Sequence, residues 1–205
     1  MVPIARQGVI VGYQEGAYWE RRYRGGGSSG AGLAYEHEFI VDNVRALTRG
    51  ARVESIWDVG IGDGRLAAKL VDALPTSVRY GGVDLSPSGL TRAKTRLPLR
   101  VELQVGDVAD TALAPARDAV LCFNVLYHVA TTERANALVR NLLASASKAV
   151  LVLTWNQKIL EREPKLATHC HFRPFGLPEG APFVIAGEEA VPGSPHKTLY
   201  TLLRA

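Results

Sequence analysis

The chain has 205 residues, 47% of them hydrophobic and 21% charged, with a formal net charge of +4. That length suits one α/β domain with a substantial core and is short for two ordinary domains plus a linker. No run reaches the roughly 18 uninterrupted apolar residues that a membrane span needs, which excludes a transmembrane protein, and the scattered basic residues tolerate nucleic acid as a partner without pointing to it.

In chain order, the opening stretch MVPIARQGVIVGYQEG lacks the long apolar core and small-residue cleavage site of a secretory signal, so a cytoplasmic protein is expected. Arg21, Arg22 and Arg24, interleaved with Tyr23, form the densest basic group and read as a solvated turn. The run GGGSSGAG at 25–32 is either a flexible linker or a backbone-lined ligand loop. Tyr35 to Leu47 then has Ile40, Val44 and Leu47 at helical spacing.

From Val53 onward, short β-rich runs alternate with helical ones, the pattern of a mostly parallel sheet covered by helices. Val53–Asp58 is strand one, and Arg65–Leu74 a helix with Leu66, Leu70 and Leu74 on one face. Val78–Asp84 is strand two; Ser86 caps the next helix, with Pro87 at its first position. Leu99–Val105 is strand three. Ala119–Val125 is apolar enough for a strand buried on both faces, Thr131 or Thr132 caps the helix after it, and Ala149–Trp155 is strand five. Phe183–Ala186 and Thr198–Leu203, separated by a Pro-Gly-Ser-Pro loop, read as an antiparallel hairpin added to the sheet. The fold expected is therefore α/β: a Rossmann-like, doubly wound sheet of seven strands. Cys122 and Cys170 are too few for a disulfide framework and read as free thiols.

The segment carrying most chemistry follows strand one, where Asp58 precedes Gly60, Gly62 and Gly64 at alternate positions. Glycines there allow a sharp turn, close approach of a ligand to backbone, and tight packing of the next helix. The spacing differs from the G-x-G-x-x-G of dinucleotide binders. Asp84 ends strand two twenty residues after Gly64, and Asp107 follows strand three. Three acids at the ends of three strands converge on the crevice where open α/β sheets bind ligands.

With these motifs the chain resembles the class I S-adenosylmethionine (SAM)-dependent methyltransferase family, most clearly over residues 53–155. The resemblance implies that the turn through Asp58, Gly60, Gly62 and Gly64 holds the methionine end of SAM, that Asp84 holds the ribose, and that Asp107 meets the adenine amino group. Leu85 and Val108, next to two of these acids, and Asn124 at the end of strand four join the expected cofactor site. Trp19 and Tyr23 with the loop at Ser29 and Gly30 are similar to a subgroup with an aromatic Trp-x-x-x-Tyr stretch and a Ser-Gly-x-Gly loop; Leu33 departs from it, the subgroup more often having serine. This implies a single domain over 1–205, with 1–34 an arm or lid and 35–205 the core. Backbone N–H groups of the loop are then expected to close over the SAM carboxylate, and Trp19 or Tyr23 to wall the acceptor pocket.

Strand four is followed by Tyr127 and His128, without the Pro-Pro-Tyr sequence that marks methylation of nucleobase or amide nitrogens. His128 has the intrinsic pKa of a general base toward an acceptor hydroxyl, or else a structural place at the start of the next helix. Asp118 stands at the wrong end of its strand to hold a metal near SAM. His169 and His171 flank Cys170, but adjacent residues on an extended chain face opposite ways and no further ligand cluster is near. No metal site is expected, and the two histidines are assigned to the acceptor pocket. A small-molecule acceptor, such as a sugar or natural-product hydroxyl, is favoured. The alternatives are an RNA methyltransferase, a SAM-binding protein without catalysis, and a nicotinamide-dependent oxidoreductase, which the glycine spacing disfavours.

Overall fold

The computed structural model describes residues 14–28, 34–155 and 175–205. Seven strands form one sheet: β1 (Ser55–Val59), β2 (Arg79–Asp84), β3 (Glu102–Val105), β4 (Arg117–Phe123), β5 (Ala146–Trp155), β6 (Phe183–Val191) and β7 (Ser194–Arg204). Their spatial order is β3-β2-β1-β4-β5-β7-β6. The first five pair in parallel, and β7 runs antiparallel to both β5 and β6. This is the Rossmann-like sheet with a C-terminal hairpin that the alternating pattern predicts.

Helices cover both faces. The central strands alternate their side chains between two cores with the period of two that a pleated strand imposes. Ile56, Leu121 and Leu151 point to one core, where α2 (Ala34–Gly50), α3 (Arg65–Ala73) and α4 (Pro87–Lys94) contribute Ile40, Val44, Leu70 and Leu90. Trp57, Val120 and Val150 point to the other, which α5 (Thr132–Ala144) closes with Ala135, Leu138, Val139 and Leu142. Burial on both faces is why these strands read as continuous apolar runs. Each fully buried Leu or Ile contributes about 1.5–3 kcal/mol of transfer free energy. Cys122 is a free thiol in this core. Ser86 caps α4 by accepting from Gly89 N–H at 3.1 Å, with Pro87 next, and Thr131 caps α5 by accepting from Arg134 N–H at 3.3 Å.

Three elements differ from expectation. Leu99 does not open strand three; it lies fully exposed in a turn, and the strand begins at Glu102 on the outer edge of the sheet. The hairpin is longer than its apolar residues suggest, because β6 is an exposed edge strand whose polar GEEA segment needs only one neighbour. Its turn is at Pro192–Gly193, with Ser194 and Pro195 already inside β7. Pro195 fits where the register jumps between Ala190↔Thr198 and Val191↔Ser194, so the irregular ladder absorbs its missing N–H. The arginine-rich segment is not a turn but a helix, α1 (Glu15–Arg24), with Glu15 in its first turn and three arginines in its last, the charge order that the helix dipole favours. Among the described residues, no helix is long and apolar enough to cross a membrane.

Candidate functional site

A cavity of about 820 Å³ opens at the C-terminal ends of the parallel strands, within the range of small-molecule sites. One half is built on the ends of β1, β2 and β3. Gly60, Gly62 and Gly64 have φ of 77°, 57° and 77°, a region side chains disfavour, so the chain reverses within five residues of β1. Asp84 holds this reversal: its two carboxylate oxygens accept from the N–H groups of Gly62 and Ser86, both at 2.8 Å. One side chain thus ties the loop after β1 to the turn after β2. Burial pushes Asp84 up to about 6 against the pull of those bonds, with Asp63 and Glu20 adding repulsion. Asp58 is lifted further, to about 7, by complete burial, although it accepts from the Tyr80 hydroxyl at 2.7 Å.

Asp107 reaches the cavity from the loop after β3. One oxygen accepts from Ala109 N–H at 2.9 Å, and the other meets the Arg134 guanidinium at 2.6 Å. Arg134 also binds Asp110 at 2.8 Å and lies 3.6 Å from Glu15 of α1. Asp58, Asp63, Asp84 and Asp107 outnumber Arg65 and Arg134 in this half, an acceptor set suited to a ligand with net positive charge. SAM, with a sulfonium, an ammonium and one carboxylate, is such a ligand.

The other half rises over the end of β4. Asn124 has φ of 60°, an uncommon conformation for a side-chain-bearing residue. Its amide donates to Glu36 at 2.7 Å and its carbonyl oxygen accepts from the Tyr127 hydroxyl at 3.1 Å. The second oxygen of Glu36, which is 2% exposed, meets the Lys197 ammonium at 2.7 Å. Burial, with the Glu36 charge behind it, pushes the Tyr127 phenol well above its ordinary value. Tyr35 closes this side by donating to the Gly193 carbonyl at 3.2 Å. Rings succeed one another around the wall: Trp19–His128 at 5.0 Å, His128–Tyr127 at 4.4 Å, Tyr127–Trp155 at 5.7 Å and Trp155–His196 at 4.6 Å between centroids.

Helix α1 is fastened across the cavity. Glu20 accepts from the Ser86 hydroxyl at 2.7 Å and from the Ser88 hydroxyl and N–H at 2.6 and 3.1 Å, at the N-terminus of α4. These bonds lower its carboxyl to about 2. Tyr23 is buried against Gly89, where a Cβ would stand 3.0 Å from the ring. Glu15 accepts from Ala130 N–H at 2.7 Å.

Of the residues singled out in the sequence, Asp58, Gly60, Asp84, Leu85, Asp107, Val108 and Asn124 line this one cavity, as do Trp19, Tyr23, Tyr127 and His128. Gly62 and Gly64 are not on its wall. Gly62 supplies the N–H that Asp84 accepts, and Gly64 opens α3 so close to α4 that a Cβ would lie 3.0 Å from the Ala93 backbone. Ser29, Gly30, His169, Cys170 and His171 lie outside the described residues. Asp118 stands at the far end of β4, accepting from Glu54 N–H at 2.8 Å. No group of three or more metal-ligating side chains occurs among the described residues. Sequence reasoning missed Glu36, Lys197, Arg134, Trp155 and His196. Only Glu36 carried a signal, standing four residues before Ile40 on the buried stripe of α2, where an acid needs partners.

Residues 56–146 match the protein family described as methyltransferase domain. No curated protein sequence matches the chain. Among solved structures, magnesium protoporphyrin IX methyltransferase from Synechocystis PCC 6803, with bound S-adenosylhomocysteine (SAH), superposes with a TM-score of 0.65 at 19% identity, covering 93% of this chain and 94% of that one. The N-methyltransferase NodS from Bradyrhizobium japonicum WM9 in complex with SAH gives 0.68 at 15% identity, covering 94% and 99%. An O-methyltransferase family protein from Burkholderia thailandensis gives 0.67 at 19% identity, covering 93% and 59%. At these identities the likeness is one of fold.

Proposed function

We propose that the chain is a class I SAM-dependent methyltransferase, a reading supported by the methyltransferase-domain match over residues 56–146 and by the fold it shares with SAH-bound methyltransferases, and that it methylates a hydroxyl group of a small molecule, such as a sugar or natural product. The observation that carries this reading is the single cavity into which three strand-end acids and the ring-lined wall both open. Bound SAM supplies an activated methyl group on a sulfonium whose charge disappears on transfer. The protein's task is then to hold donor and acceptor in line and to exclude water.

In this reading Asp84 accepts the ribose hydroxyls with the lone pairs its two N–H bonds leave over. The turn from Asp58 through Gly60, Gly62 and Gly64 holds the methionine end, with Ser29 and Gly30 closing over the carboxylate. Asp107, held by Arg134, faces the adenine amino group, and Leu85, Val108 and Asn124 flank the nucleoside and the methyl. His128 takes the proton from the acceptor hydroxyl. Trp19, Tyr23 and Tyr127 wall the acceptor, together with His169 and His171. Residues 1–34 serve as a lid on a core formed by 35–205.

Calorimetric titration tests the donor: SAM and SAH bind, and NAD does not. Binding of NAD without SAM overturns the donor reading. SAH release with a hydroxyl acceptor and transfer to oxygen in the product test the rest. Tight SAM binding with no turnover on hydroxyl, amine or thiol panels favours a SAM-binding protein without catalysis.

A further inference from the structure

The acceptor half of the cavity is lined by aromatic rings in a particular arrangement. The rings of Trp19, His128, Tyr127, Trp155 and His196 form a continuous wall drawn from α1, the turn after β4, the end of β5 and the start of β7. Adjacent rings are inclined at 83°, 46°, 50° and 57°, so the wall curves instead of stacking. The polar groups beside it are engaged with one another: Asn124 with Glu36 and Tyr127, Glu36 with Lys197, and Tyr35 with Gly193 and Ser194.

This combination discriminates between acceptors. A polyol entering the site loses water from several hydroxyls and finds Asn124, Glu36, Lys197 and Tyr35 already engaged with internal partners, which penalises each hydroxyl left unmatched. A flat aromatic molecule asks for ring contacts, which inclined rings supply in edge-to-face and offset geometry, and for one polar contact at its reacting oxygen. Glu36 is neutralised by Lys197 and gives no uncompensated charge to draw a cationic amine.

We propose that the acceptor is a planar aromatic molecule carrying a phenolic hydroxyl, and that Trp19 and Trp155 select it. The inference rests on the methyl transfer to oxygen proposed above and narrows it. The phenolic oxygen forms the new C–O bond as the methyl–sulfur bond breaks; that bond's electron pair stays on sulfur, leaving SAH, and the phenolic proton passes to His128 and then to water.

The test is equilibrium binding to the SAH-saturated full-length protein by calorimetry, with naphthol, its saturated analogue decahydronaphthol, and methyl glucoside as probes. Naphthol is expected to bind at least about tenfold tighter than either, because two or three favourable ring contacts exceed area burial by that much. Trp155→Leu and Trp19→Leu, which keep apolar bulk, are expected to reduce the preference over decahydronaphthol to about threefold or less with SAH affinity unchanged. Equal binding of naphthol and decahydronaphthol, tighter binding of the glucoside, no binding of naphthol, or a preference that survives both substitutions overturns the proposal. Turnover with SAM separates it from the reading beneath. Methylation of the glucoside but not naphthol keeps transfer to oxygen and removes the aromatic class. Tight naphthol binding with methylation only of aminonaphthalene keeps the aromatic pocket and removes transfer to oxygen.

Discussion

Replacing Asp84 by Asn separates the two duties this side chain carries. The carboxylate accepts two backbone N–H groups at 2.8 Å, and an amide offers one oxygen in place of two. One donor therefore faces an NH₂ group, at a cost of about 1–3 kcal/mol. Against this, burial moves the carboxyl from 3.8 to about 6, roughly two units, so the charge is disfavoured by about 3 kcal/mol in the folded protein above that pH. The neutral amide escapes that cost. The two effects nearly cancel, leaving stability within about 2 kcal/mol of the parent and Tm within about 8 °C at neutral pH. SAM binding has no such compensation, because the ribose loses a charged acceptor, so affinity is expected to fall at least about tenfold. Thermal melts and calorimetric titration read the two quantities on the same sample. A folded variant with undiminished SAM affinity removes Asp84 from the site. A Tm loss of about 15 °C or more makes the tie between loops its main duty and refutes the cancellation argued here.

Two further outcomes follow from the same geometry. Asp58 and Asp84 titrate at about 7 and about 6, above ordinary carboxylates, so the stability their protonated forms contribute is complete below about pH 4 and is lost as pH rises through 6 to 7. A cationic ligand reverses the preference, so SAM affinity should rise between pH 5 and 8 with proton release near neutrality; titrations in buffers of different ionisation enthalpy read this, and pH-independent binding counts against it. Every strand lies after residue 52, which taken alone predicts that deleting residues 1–32 spares the fold, but the deletion removes Glu20 from the start of α4 and Tyr23 from its seat on Gly89. Loss of one buried aromatic side chain alone costs about 3 kcal/mol, so Tm should drop by about 6 °C or more alongside SAM affinity, and a truncated protein melting with the parent would show that α1 contributes nothing to the core.

Much of the architecture is legible in the chain because its signals are local. Ala119 to Phe123 is apolar at every position because both faces of β4 are covered, and Ser86-Pro87 announces a helix whichever partner it packs on. The strand-end acids are legible for a related reason: topology delivers the ends of successive parallel strands to one edge, so Asp58, Asp84 and Asp107 meet without further information. β6 and β3 were cut wrongly at the same level, since edge strands expose residues that carry no apolar period.

By itself the sequence determined the α/β class, the order of strands and helices from α2 onward, and the three acids around the glycine turn, since each depends on spacing within one or two neighbouring elements. Only the tertiary structure decided what surrounds them. Glu36 meets Asn124 across 88 positions and Lys197 across 161, and Glu20 reaches Ser86 across 66. Pairings of that separation leave no periodicity in the chain, because they are chosen by how helices dock and hairpins fold over, and a buried acid such as Glu36 is tolerable only once that docking has brought its amide and its ammonium within 2.7 Å.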